Sequence, residues 1–206
     1  MIVIVDYGMG NLGSVKNMFK KIGERTIVTS KYTDIENAPK ILLPGVGSYD
    51  SAVKNLKQLG LFDLIKKRVL EDKTPILGIC LGMQLLTKGS EEGKMEGLGF
   101  IEGFAKKFDF SKLERSLPVP HMGWNNVLIH KNSKLIKKNN DRENRFYFVH
   151  SYAVECVEKE DILTTTCYGY DFVSSFEKDN VLGCQFHPEK SHQFGMKIFK
   201  NFAENY

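Results

Sequence analysis

Pro75-Ile-Leu-Gly-Ile-Cys80-Leu-Gly-Met-Gln84 places one cysteine at a turn between an apolar strand and a helix. Ile76 to Ile79 form a short apolar run suited to a strand buried on both faces, and Met83, Leu85 and Leu86 suit a helix that follows. Between them, Gly78-Ile-Cys-Leu-Gly82 has the G-x-C-x-G spacing of a nucleophile elbow. Its glycines permit a sharp, strained turn that lifts the intervening side chain out of the sheet top, over helix-start N–H groups. A free cysteine with pKa about 8.5 is only slightly ionised at neutral pH, so a nucleophile here needs the helix terminus and a nearby base. The alternative at this point is a buried structural cysteine lying between two glycines.

The base and its orienting carboxylate are supplied by Gly183-Cys-Gln-Phe-His187-Pro-Glu189, at the end of a second apolar run that begins at Val181. Read as a continuing strand, residues two apart face the same way, so Glu189 lies beside His187 and orients its imidazole. Cys184 is expected to point to the opposite face, into the core. Cys80, His187 and Glu189 form a candidate catalytic triad.

Outward from these motifs, strand and helix alternate. Met1 to Val5 reads as a strand, Leu12 to Ile22 as a helix with Leu12, Val15, Met18, Phe19 and Ile22 on its apolar face, and Gly23 as its stop. A second strand spans Arg25 to Thr29, and a polar connection leads to a third at Lys40 to Leu43. That strand feeds Pro44-Gly-Val-Gly47, where two glycines let a backbone N–H turn toward the nucleophile. Helices at Tyr49 to Leu59 and Phe62 to Leu70 precede the Cys80 strand. The alternation predicts an α/β fold with a mostly parallel central sheet covered by helices on both faces. The middle is less regular and reads as an antiparallel extension, with strands near Phe146 to His150 and Leu163 to Cys167. A last helix runs from Phe194 to Ala203.

Asp6-Tyr-Gly8-Met-Gly10-Asn11-Leu-Gly13 contains a formal G-x-G-x-x-G after a strand and before a helix. The second strand, however, ends in Ser30-Lys31 instead of the acidic residue that would hold a ribose, so no dinucleotide is expected. The 206 residues fit one domain, 1–206, with no second catalytic domain. The formal charge of +4 comes from short lysine groups such as Lys20-Lys21, Lys66-Lys67-Arg68, Lys106-Lys107 and Lys137-Lys138, which read as solvated faces. No arginine-rich run points to nucleic acid. The opening strand is too short and too plain for a signal peptide, and no membrane span is present. The four cysteines and five histidines show no ligand spacing, so neither metal nor other cofactor is implied, and the thiols read as reduced in a cytoplasmic protein.

With these motifs in this order the chain resembles class I glutamine amidotransferases along its whole length. His121-Met-Gly-Trp-Asn125, Tyr147-Phe-Val-His-Ser-Tyr152, His187-Pro-Glu-Lys-Ser191 and Asp6-Tyr-Gly-Met-Gly-Asn11 are similar, as a set, to the glutaminase subunit of imidazole glycerol phosphate synthase. The resemblance implies L-glutamine as substrate, with Cys80 attacking the side-chain amide, His187 carrying protons and Glu189 orienting it. It implies an oxyanion site at the N–H groups of Leu81, Val46 and Gly47, and substrate contacts from Gly45, Gln84, Glu92, Ser151 and Tyr152. It also implies a heterodimer with a (β/α)8-barrel cyclase that receives the ammonia, docked at Asn11, Trp124, Asn125, Tyr147 and Lys190. A flip of the Gly45-Val46 peptide, favoured by ligand in the partner, would switch activity on.

Two features keep a second acceptor open. Ser48-Tyr49 replaces a common Ala-Phe, and Phe172-Val-Ser-Ser-Phe with Ser191-His-Gln-Phe-Gly195 resembles paralogues that are associated with amidation of surface-polysaccharide amino sugars. A solitary thiol hydrolase fits less well, because its carboxylate would not follow the histidine by two residues and no H-G-G-G loop occurs. A non-catalytic regulatory subunit on the same fold is the remaining alternative, which the intact triad opposes.

Overall fold

The computed structural model describes residues 1–114, 116–137 and 144–206. In chain order the elements are β1 (Ile2–Val5), α1 (Leu12–Lys21), β2 (Thr26–Thr29), α2 (Tyr32–Glu36), β3 (Ile41–Gly45), α3 (Tyr49–Gln58), α4 (Leu61–Leu70), β4 (Ile76–Cys80) and α5 (Leu81–Leu85). They continue with β5 (Gly89–Ser90), β6 (Gly103–Lys107), β7 (His121–Asn126), β8 (Leu128–Ile129), β9 (Arg145–His150), β10 (Tyr152–Cys156), β11 (Ile162–Tyr168), β12 (Tyr170–Lys178), β13 (Val181–Cys184) and α6 (His192–Asn205).

The main sheet runs β2-β1-β3-β4-β13-β12-β10-β6-β5, with β11 and β8 branching from β12. Its first five strands are mutually parallel, and β13, β12, β10 and β6 are joined antiparallel. This is the α/β architecture and antiparallel extension that the sequence predicts. Apolar runs without polar alternation bury both sheet faces, and the side chains divide by parity. Val3, Val5, Ile41, Leu43 and Ile76 enter one core with α3 and α4, whereas Ile2, Ile4, Leu42, Leu77 and Ile79 enter the other with α1 and α6. Cys184 lies in the second core, fully buried, as expected.

Two elements carry no clear signal in the sequence. The polar connection after β2 contains α2, whose only buried residue is Ile35; one apolar side chain in five residues leaves no periodicity to read. The nine-residue β12 was not expected as a strand either, because Ser174 and Ser175 break its apolar run. Both serines are fully buried and are satisfied by Thr164 Oγ1 of β11, at 2.8 and 2.6 Å. Cross-strand pairing turns polar residues into core residues here.

Lys20, Lys21, Lys67, Lys106, Lys107 and Lys137 are exposed, in keeping with solvated faces, and Lys138 lies outside the described residues. Cys167 is exposed and Cys156 only half-buried, so the thiols are less uniformly sheltered than their apolar neighbours in sequence suggest. Among the described residues no helix is long and apolar enough to cross a membrane.

Candidate active site

Cys80 ends β4 and caps α5 with φ 53° and ψ −109°. This positive φ on a residue bearing a Cβ costs on the order of 1–3 kcal/mol and persists because the surroundings over-determine it. The strain therefore sits on the cysteine and not, as the sequence suggests, on its flanking glycines, neither of which has positive φ. Gly78 and Gly82 are needed for space. A Cβ on Gly78 would lie 2.6 Å from the Gly82 carbonyl oxygen, and one on Gly82 would lie 1.8 Å from that of Leu43.

β3 lies beside β4 with Gly45 in register with Cys80, so the Pro44–Gly47 loop starts next to the thiol. Tyr7 Oη donates to the Pro44 carbonyl at 2.7 Å and would sit 2.6 Å from any Cβ on Gly45. Burial, and then the nearby Cys80, push the Tyr7 hydroxyl well above its ordinary pKa, so it remains a neutral donor bracing the loop. Gly47 needs its glycine for φ +104°. In the formal G-x-G-x-x-G, a Cβ on Gly10 would lie 3.4 Å from Pro44, so this segment passes close behind the loop.

The histidine arrives differently from the strand geometry expected. β13 stops at Cys184, and His187 precedes a 3₁₀ turn, Pro188–Lys190, that brings Glu189 back to it. His187 Nδ1–H donates to Glu189 Oε1 at 2.7 Å, and both side chains are almost wholly buried. The contact is the expected one; the turn, with proline at its start, makes it. His187 N–H bonds the Tyr147 carbonyl at 2.9 Å, which ties the turn to β9. Ser191 Oγ donates to the His187 carbonyl at 2.6 Å and accepts the Tyr147 N–H at 3.0 Å. Behind the turn, a Cβ on Gly195 would come within 1.7 Å of the Pro188 carbonyl oxygen, so α6 abuts it directly.

Ser191 is fully buried, and Ser191→Ala would leave the half-buried Tyr147 N–H without its partner, which is expected to cost about 1–3 kcal/mol. A urea titration read by circular dichroism checks this; an unchanged midpoint would remove Ser191 from the support of the turn.

Burial lowers the His187 pKa, but interactions with Cys80 and then Glu189 outweigh it and raise the value to about 10. The folded state therefore favours imidazolium. That contribution to stability is fully present below the ordinary unfolded value near 6.5 and disappears as pH rises through about 10. Glu189→Gln is expected to flatten the decline in unfolding free energy over that window. Equal slopes in wild type and variant would show that Glu189 does not hold the proton.

One cleft of about 280 Å³ is lined by Val46, Gly47, Cys80, Leu81, Gln84, Glu92, His150, Ser151, Tyr152 and His187, together with Val149. It gathers Cys80 and His187 of the candidate triad with Val46, Gly47, Leu81, Gln84, Glu92, Ser151 and Tyr152 from five separate stretches of chain, whereas Gly45 is not among its lining residues. Glu92 accepts the Tyr49 N–H at 3.2 Å, and burial raises its pKa, partly offset by that bond and reinforced by Asp50. Val149, His150 and Gln185 were not singled out from sequence. The Cys80 thiol points to the Val149 carbonyl at 3.9 Å, and Gln185 Nε2 donates to Cys80 Sγ at 3.6 Å. His150 Nε2 pairs with His121 Nδ1 at 3.1 Å, both buried. Burial depresses both histidines, to about 4 for His121 and about 3 for His150, so the pair is neutral. Only the quoted position of Gln185 two residues before His187 could have drawn attention to it.

The expected partner residues fall into a patch and an outlier. Trp124, Tyr147 and Lys190 meet: the two rings are 6.3 Å apart and Lys190 Nζ lies 5.7 Å from the Tyr147 ring. Trp124 is 43 % exposed and so is not a buried core residue, and His192 stacks parallel to it. Met122, next along the outer face of β7, is 62 % exposed. Asn11 is exposed at the start of α1, whose helix packs against the 188–190 turn. Asn125 is engaged internally, donating to the Cys167 carbonyl at 2.9 Å.

The family model for glutamine amidotransferase class-I matches residues 3–206. The chain is 55 % identical over 204 residues to imidazole glycerol phosphate synthase subunit HisH 2 of Methanococcus maripaludis, covering 99 % of each. It is 48 % identical to subunit HisH 1 of Campylobacter jejuni, covering 98 % of this chain and 99 % of that protein. A solved glutamine amidotransferase shares the fold with a TM-score of 0.75 at 19 % identity, covering 99 % of this chain and 98 % of the other.

Proposed function

This chain belongs to the class-I glutamine amidotransferase family, and on that premise we propose that it is a glutaminase subunit that hydrolyses L-glutamine and passes ammonia to a cyclase making imidazole glycerol phosphate in histidine biosynthesis. The observation that carries this reading is the convergence of Cys80, the Glu189-bound His187 and the Pro44–Gly47 loop on one cleft. The cleft has the size and polarity for one amino acid.

In the proposed reaction Cys80 Sγ bonds to the side-chain amide carbon, and the carbonyl electron pair moves to oxygen. The N–H groups of Leu81, Val46 and Gly47 hold that oxyanion; one such donor is typically worth about 3–4 kcal/mol in the transition state. Collapse breaks the C–N bond as His187 protonates the leaving nitrogen, giving ammonia and a glutamyl thioester. Water then attacks, His187 takes its proton, and the thiolate leaves with glutamate complete. The sum is glutamine and water to glutamate and ammonia. Glu189 keeps the His187 tautomer and stabilises its imidazolium.

Glu92, with its carboxylate partly desolvated in the cleft, suits the α-ammonium of glutamine, and Gln84, Ser151 and Tyr152 form the adjoining walls, with Gly45 at the start of the neighbouring loop. Glu92→Gln is expected to raise KM about tenfold with kcat nearly unchanged, since the contact is the same in ground and transition states. A fall in kcat with constant KM would assign Glu92 another role.

Ammonia in neutral water is mostly protonated and no longer a nucleophile, so the product needs a sheltered path. The exposed Trp124, Tyr147 and Lys190 patch, with Asn11 and the β7 edge, is the proposed docking face for a (β/α)8-barrel cyclase in a heterodimer. The whole would work as one domain, 1–206, in the cytoplasm, where its free thiols stay reduced.

The test is glutamate release by the purified chain, alone and with a histidine-pathway cyclase bound to its ribonucleotide ligand, with Cys80→Ser as blank. Stimulation that needs both cyclase and ligand supports the assignment. Cys80-dependent release that ignores the cyclase keeps the glutaminase but overturns the histidine partner, and would direct the search to amidated sugars.

A further inference from the structure

Gln185 lies immediately beyond β13 and is 0 % exposed, a polar side chain buried completely. Its backbone is pinned by an N–H bond to the Ser174 carbonyl at 2.9 Å. Its amide stands between two others. Gln84 Nε2 lies 3.2 Å from the Tyr152 carbonyl oxygen and 3.1 Å from Gln185 Oε1, and Gln185 Nε2 lies 3.6 Å from Cys80 Sγ.

The direction of this chain of bonds is dictated from its far end. A backbone carbonyl only accepts, so the Gln84 atom facing Tyr152 is the amide nitrogen. The second N–H of that nitrogen requires an acceptor, which sets the oxygen of Gln185 toward Gln84. The remaining atom of Gln185, the one facing sulfur, is then a donor. His150 Nδ1–H bonds the same Tyr152 carbonyl at 2.8 Å, so this anchor is held from two sides. Sulfur thus has an acceptor on one side, the Val149 carbonyl, suited to S–H, and a donor on the other, suited to S⁻.

We infer that Gln185 is a further catalytic residue: a buried neutral donor to Cys80 Sγ, aimed by Gln84 and the Tyr152 carbonyl, that stabilises the thiolate independently of His187. The inference rests on Cys80 being the nucleophile of the proposed function. A donor to an ionised group is stronger than one to a neutral group, so its removal weakens the thiolate more than the thiol. Gln84 holds the amide of Gln185 in place and is a positioning residue.

The experiment reads the sulfur without using glutamine. Full-length protein is treated with iodoacetamide, in which an S–C bond forms and iodide leaves, and modification at Cys80 is followed by peptide mass spectrometry between roughly pH 6 and 10. Gln185→Met removes the donor and is expected to slow Cys80 alkylation at pH 7 about tenfold, with the pH–rate profile displaced to higher pH. Gln84→Met is expected to move it the same way by less. In glutamine turnover kcat should fall with KM unchanged, because Gln185 is not among the cleft-lining residues. If Gln185→Met does not fold, Gln185→Glu, of the same shape but presenting an acceptor to sulfur, serves in its place and is expected to slow alkylation further. A folded Gln185 variant with the wild-type alkylation rate and profile would overturn the inference and make the residue a packing element. Because alkylation needs no substrate, that outcome is separate from a failure of the glutaminase reading, which appears as absent glutamate release with an intact thiol response.

Discussion

Replacing Cys80 with alanine is expected to lower glutamate release by about 10³-fold or more, to the blank of the assay, because the proposed reaction proceeds through a thioester on Cys80 Sγ. The same position makes a second, opposite statement about stability. Cys80 holds φ at 53°, a conformation that any residue with a Cβ adopts at a cost. Cys80→Gly relieves that strain and is expected to be more stable than Cys80→Ala by about 1 kcal/mol, although glycine also gives back chain entropy on unfolding. The protein therefore gives up stability at this position to present its thiol. Chemical denaturation of the two variants side by side checks this. A Cys80→Gly protein clearly weaker than Cys80→Ala would show that the turn is not strained, and retained turnover in either variant would place the nucleophile elsewhere.

The largest expected loss of stability is at Gly82. A Cβ there falls 1.8 Å from the Leu43 carbonyl oxygen, a backbone atom in the middle of β3 that cannot swing aside as a side-chain tip can. Gly82→Ala must separate α5 from β3, and this also draws the Pro44–Gly47 loop away from Cys80, with which Gly45 is in register. The cost is expected to be on the order of 4 kcal/mol, large against the whole stability of a domain this size. Soluble yield and thermal midpoint measure it, and alanine at Gly13, where nothing lies within 4 Å, is the control. A Gly82→Ala protein as stable as wild type would mean that the elbow packs less tightly against β3 than these distances require.

At Gly82 local sequence stops being informative. G-x-C-x-G announces an elbow, but it assigns the strain to the glycines; only the approach of β3 reveals that the glycines are clearances and the cysteine is the strained residue. His187 and Glu189 show the same division. Their spacing announces a pair, yet a 3₁₀ turn and not an extended strand brings them together, held by Ser191 and by the fit of Gly195 under Pro188.

What the sequence determined by itself is whatever depends on neighbours along the chain. Apolar runs and helical periodicity set the parallel α/β frame through Cys80, and short motifs named the proposed triad and most of the cleft, because burial of a strand or helix face is written in consecutive residues. What only the tertiary structure decided is whatever depends on pairing across it. Ser174 and Ser175 become core because Thr164 faces them, and Trp124 becomes a surface residue because β7 pairs with β9 outside the main sheet. Gln185 becomes a donor to Cys80 only because a distant carbonyl, at Tyr152, orients Gln84 between them. A hydrogen bond has a direction that its own residue type does not specify, so the chemistry of that amide is set by groups far away in the chain and close in space.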